Sequence, residues 1–238
     1  MYTMSNENSS NGTGARKRPY TLKARARRWE DIRKRITKAA VHLHETVGPA
    51  RTTINAIAKH AGVQRATVYN HFPTELELID ACSAHWFAEN PPPDQTAWLQ
   101  IQNPGIRTRC ALQDMYEYYD RSRDMLGKVL RDAAVVPAMD EIRRMKWVPQ
   151  LEGIVDILAD GFSAPAKQTV ESHLSELVED NISAADGRHT TEKEIRACLR
   201  VVLDFFTWQT LAESGLTSAD AATLAARWVE AAGESRPE

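Results

Sequence analysis

Within the eight residues from Gln64 to His71 the chain places Gln64, Arg65, Thr67, Tyr69, Asn70 and His71. Amide, guanidinium, hydroxyl and imidazole groups at this density suit hydrogen bonding to base edges and phosphates. Arginine pairs with guanine or phosphate, and Gln or Asn pairs with adenine. No arrangement for covalent chemistry competes with them. The chain has no Walker loop, no dinucleotide glycine pattern and no nucleophile elbow. His42 and His44 stand two apart on an expected helix, so they point to different sides, and the other five histidines are scattered. No catalytic residue, metal ligand or cofactor is therefore expected.

The polar run needs a rigid mount, and the residues before it supply one. Ile54, Ile57, Ala58 and Ala61 recur at three- and four-residue spacing, the mark of a helix with one apolar face. Thr52 or Thr53 can cap that helix. Gly62 stands where a chain leaving a helix often turns left-handed. A second short helix, about Gln64 to His71, turns Val68 inward. Small Ala58, Gly62 and apolar Val68 have the spacing of a helix-turn-helix. The second helix of such a unit lies in the major groove, its first residues toward the bases.

Charge points the same way. From Ala15 to Glu75 there are 14 Lys/Arg against four Asp/Glu, whereas from Leu76 onward there are 16 basic and 27 acidic residues. A basic head on an acidic body is suited to a polyanion. Arg16 to Arg28, with Arg25, Arg27 and Arg28, is expected as a basic arm that enters a minor groove. The expected DNA-contacting set is thus Thr52, Thr53, Gln64, Arg65, Thr67, Tyr69, Asn70 and His71, with Arg25, Arg27 and Arg28 from the arm.

The segment resembles the DNA-binding part of the TetR family of bacterial transcriptional regulators. The matching residues are Thr52-Thr53, Ile57-Ala58, Ala61-Gly62-Val63, Thr67-Val68-Tyr69 and His71-Phe72, followed by Leu78 and Ile79. The match spans about residues 29 to 87. Family members often carry a backbone-contacting lysine where this chain has Glu75, which puts one phosphate contact in doubt. The resemblance implies a homodimer, most often a repressor, with a four-helix interface and an effector site in the body.

The expected fold is all-α: an N-terminal three-helix head and a larger helical body for ligand binding and dimerisation. Residues 1–15, rich in Ser, Asn and Gly, are expected to be a disordered tail. The arm and head occupy 16–90, and the body occupies 94–238, beyond Pro91-Pro92-Pro93. Helix 1 is expected over Trp29 to Val47, and helix 4 over Thr74 to Phe87 as the mechanical link to the body. Further helices are expected from about Ile106 to Arg121, Arg123 to Val136, and Pro137 to Leu158 with a bend near Pro149. An acidic helix of obscure role follows, about Gln168 to Ile182. The last two helices, about Glu192 to Glu213 and one capped by Thr217 or Ser218, have apolar faces suited to a dimer through Val202, Phe206, Leu224 and Trp228. A buried pair within one chain would give a similar pattern. Met115, Tyr116, Tyr119, Met145, Trp147, Phe205 and Trp208 are candidate walls of a pocket for a small apolar or amphipathic effector. Cys82, Cys110 and Cys198 are too few and too far apart for a disulfide framework, and suit a reducing cytoplasm. No apolar run approaches a membrane span, and no secretory signal is read. Two rivals stay open: an architectural DNA-binding protein without effector, and a helical enzyme with an unrecognised site.

Overall fold

The computed structural model describes residues 18–162 and 192–233, and among these every regular element is helical. The head comprises α1 (Arg18–Thr46), a 3-10 turn (Pro49–Arg51), α2 (Ile54–Ala61), α3 (Arg65–His71) and α4 (Glu75–Glu89). The body comprises α5 (Thr96–Leu99), α6 (Pro104–Arg121), α7 (Arg123–Asp132), α8 (Pro137–Ile142), a π-helical turn (Arg143–Trp147) and α9 (Val148–Ala159). It closes with α10 (192–202), α11 (Phe205–Glu213) and α12 (Ser218–Gly233). The expected tail 1–15 and the acidic helix lie outside the described residues. No described helix is long and apolar enough to cross a membrane.

Several boundaries differ from expectation, each for a local reason. α1 begins at Arg18 rather than near Trp29. After Pro19, Tyr20 and Thr21 its early turns hold Leu22, Lys23, Ala24, Arg25, Ala26 and Arg27, strong helix formers that continue the helix beyond its buried stripe. Lys23, Arg25, Arg27 and Arg28 are therefore exposed on the first turns of a helix. α6 opens at Pro104-Gly105, two residues before the expected start at Ile106, and Asn103 caps it by accepting the Ile106 N–H at 2.9 Å. The bend expected near Pro149 is the π-helical turn just before it. Val148 donates to the carbonyl of Arg143, five residues back, and Pro149 has no N–H to continue the α-helical ladder.

The expected long helix from Glu192 is two helices. Tyr116 and Tyr119 of α6 donate their hydroxyls to the carbonyls of Val202 and Leu203, each at 2.7 Å. Those carbonyls turn toward the core, and Asp204 caps α11 by accepting the N–H groups of Phe206 and Thr207. α12 lies along α6 through Ala221, Ala222, Ala225 and Ala226, all buried, whose small side chains let the helices approach closely.

α4 joins head and body because it is apolar on two sides. Leu78 and Cys82 enter the head core beside Ile36, Ile57, Val68 and Phe72. Ile79 packs with Ala133, Met139 and Ile142, and Trp86 belongs to the body core. A second tie lies at the 3-10 turn. The buried Asp132 carboxylate, at the end of α7, accepts the Ala50 N–H at 3.0 Å and the Arg131 Nε–H at 2.8 Å. Gly48, at φ +89°, is required here twice over: the angle disfavours a side chain, and a Cβ would collide with Asp132.

His44 is buried beside this seam, and burial lowers its pKa to about 4, although Asp132 pulls the other way. Its folded pKa lies below the ordinary value, so the stability from keeping it neutral is complete above about pH 6.5 and is lost as pH falls toward 4. The loss across that window is about 3 kcal/mol. Burial opposes ionisation of Asp132, but Arg131, the Ala50 N–H and Arg51 outweigh it and hold its pKa below the usual carboxylate range, so its own acid transition falls below the His44 window. Urea titrations against pH should show a fall between pH 6.5 and 4 that is smaller in His44→Leu, where only the like-signed contribution of His71 remains; equal slopes in the two proteins would contradict this account.

Candidate nucleic-acid interface

Thr53 caps α2 by accepting the Ala56 N–H at 3.1 Å. α2 ends at Gly62, which is left-handed at φ +63° and leaves Val63 free to donate back to Ala58 at 2.9 Å. The Arg35 guanidinium of α1 donates to the carbonyls of Ala61 and Gly62, so a cation sits at the negative end of α2. α3 then starts at Arg65, with Gln64 as its first flanking residue and its side chain making no cap bond. Val68 is wholly buried and seats α3 on α1 and α2.

The far end of α3 is pinned by α1. The Trp29 ring lies 3.7 Å from the His71 ring, centroid to centroid. Arg33 donates to the His71 carbonyl at 2.5 Å and lies 4.0 Å above the Phe72 ring. Burial, and then Arg33 beside it, holds the His71 imidazole below its ordinary pKa.

The expected contact residues therefore divide. Gln64, Arg65, Tyr69 and Asn70 are exposed along the outer side of α3, and Thr67 is half-buried at its flank. Arg65 donates to the Tyr69 hydroxyl at 3.1 Å, one turn along, so the two are held as a unit. Thr53 is exposed at the start of α2, while half-buried Thr52 donates to the Gly48 carbonyl at 2.8 Å. Arg25, Arg27 and Arg28 are exposed on the first turns of α1. His71 is not on the outer side: three residues beyond Val68, it shares the inner face and is 4% exposed. Ala66 was missed. It is exposed beside Tyr69 and Asn70, and its methyl suits contact with a thymine methyl; helical angle, counted from Val68, was the signal that would have found it. Glu75 is exposed at the start of α4, where a negative charge favours the helix N-terminus, and Thr74 caps that helix by accepting the Glu77 N–H.

Residues 36–82, the greater part of this head, match the family described as bacterial regulatory proteins, tetR family. The head is thus a helix-turn-helix DNA-binding domain of the TetR family. Two solved structures are similar to the chain in fold. A transcriptional regulator from Rhodococcus sp. Rha1 is 15% identical at TM-score 0.48, over 84% of this chain and 94% of the other. A TetR transcription regulator from Haloarcula marismortui is 17% identical at TM-score 0.46, over 85% of this chain and 98% of the other. No curated protein matches the chain.

The candidate effector residues also divide. Met115, Tyr116, Tyr119 and Trp208 are sealed in the body core and line none of the cavities described. Met145 is 61% exposed, because the wider π-helical turn carries it outward. Trp147 and Phe205 do face a cleft. Of the candidate dimer residues, Val202 is wholly buried within the chain, because the break at Asp204 turns α10 inward. Phe206 is 45% and Trp228 41% exposed, and Leu224 is half-buried. Among the described residues no group of three or more potential metal ligands converges.

Trp29→Ala removes the stack on His71 without removing any side chain from the outer side of α3. Loss of such a stack, about 1 kcal/mol, should loosen the helix end and weaken DNA binding about five- to tenfold in an anisotropy titration. Unchanged affinity would show that α3 does not depend on this support.

Proposed function

We propose that the protein is a repressor that binds an inverted-repeat operator as a homodimer and is released by a small apolar or amphipathic effector. The observation that carries the DNA-binding half is the outer side of α3. Arg65 and Tyr69 are joined there, and Gln64 and Asn70 flank them on a helix seated by Val68 and pinned by Arg33. In this reading Arg65, Gln64 and Asn70 read base edges, and Tyr69, Thr67 and Thr53 meet phosphates or sugars. Arg25, Arg27 and Arg28 follow the backbone from the start of α1.

The dimer reading rests on Phe206, Leu224 and Trp228, apolar side chains left uncovered or half-covered on the last two helices. Pairing two copies across that face would place two α3 helices in successive major grooves, about 34 Å apart. An effector acts by favouring a form with another separation of the heads, and it shifts that equilibrium only by its differential affinity for the two forms. A cytoplasmic location follows from this role.

Two variants test the reading separately. Arg65→Ala should weaken operator binding at least tenfold, a loss of about 1.4 kcal/mol or more, with helical content and melting unchanged. Trp228→Glu should sediment as a monomer with intact helical content and bind the operator poorly. Wild-type operator affinity in the first contradicts the docking of α3, and a stable dimer in the second moves the interface elsewhere.

A further inference from the structure

A cleft of 280 Å³ opens on the body between the end of α7, the π-helical turn and the start of α11. Most of its lining residues are apolar: Leu130, Leu151 and the edges of the otherwise buried Trp147 and Phe205, with Phe206 on the side shared with the proposed dimer face. Its volume approaches the range of small-molecule sites, about 300–1,000 Å³. Two acids reach its rim, and they differ. Asp140 is already held by Arg143, at 2.7 Å and 3.0 Å, and by Arg144 at 3.1 Å. Asp204 offers one carboxylate oxygen to the N–H groups of Phe206 and Thr207, and among the described residues no basic side chain pairs with it.

We infer that this cleft is a binding site for a small amphipathic cation, a flat apolar body that carries one amine, resting on the apolar wall of the cleft beside Trp147 with the amine at the exposed Asp204. The chemistry discriminates. An ammonium gains a carboxylate that no basic side chain among the described residues engages, whereas a carboxylate ligand of the same shape meets Asp204 as a like charge and an Arg143 already engaged. The site also adjoins the helix that supports the head. Trp147 stacks on Phe87 of α4 at 5.8 Å, Lys146 pairs with Asp80 of α4, and a 50 Å³ apolar void touches Phe87 and Met139. A ring inserted beside Trp147 is thus one side chain from α4. As the effector site, the cleft rests on the regulatory reading above; as a cation site, it does not.

The test uses 1-naphthylmethylamine and 1-naphthylacetate, titrated calorimetrically into the full-length protein, with and without DNA. The amine should bind about tenfold or more tighter than the acid. Asp204→Asn keeps the cap on α11, since Asn caps as well as Asp, and should bring the two affinities within about twofold. Ala134→Phe, at an exposed position of the cleft wall, should block both ligands while melting like the wild type. No binding of the amine, equal affinity for the two ligands, or a preference unchanged in Asp204→Asn overturns the site. Binding with the expected preference but no release of DNA upholds the cation site and contradicts its role as effector site.

Discussion

The rest of the structure depends on α4 being buried on two sides. A helix with one apolar stripe belongs to one core and leaves the other side wet. Here Leu78 and Cys82 complete the head, while Ile79 and Trp86 complete the body. Neither core can move far along α4 without opening the other, because close-packed interiors tolerate few voids. Burial drives the Cys82 thiol up to about 12, so at this position it behaves as a small apolar group and not as a reactive one. The Asp132 tie to the turn after α1 fixes the head a second time, and together the two contacts set where α3 sits relative to the body.

Within that frame α3 is supported at both ends by α1. Arg35 holds the turn before it, and Trp29 and Arg33 hold the residues that end it. α3 is two turns long, too short to persist in water alone, so its geometry comes from packing. The same support explains its economy: Val68 and His71 face inward, which leaves Arg65, Ala66, Tyr69 and Asn70 to face outward.

The head was the legible part of the chain, because its signals are local. A cap at Thr53, a left-handed Gly62 and the inward Val68 each carry a short-range cause, and their spacing names the motif. His71 was misplaced because a polar residue in a polar run hides its own helical angle. The body was less legible because helical periodicity says that a face is apolar without saying what covers it. Val202 and Phe206 read as one stripe, yet two tyrosine hydroxyls from α6 break the helix between them and send one inward and one outward. Tyr116 and Tyr119 read as pocket walls for the same reason, although their hydroxyls serve that break. The cleft drew on three separate segments, and only Trp147 and Phe205 of it were among the candidate pocket residues.

The most direct measurement is selection of genomic fragments by the purified protein at two salt concentrations, followed by sequencing of what is retained. The account predicts recovery of one inverted repeat with half-sites about one helical turn apart, held less well at the higher salt because phosphate contacts release counterions. Retention of arbitrary fragments, or of none, would contradict it.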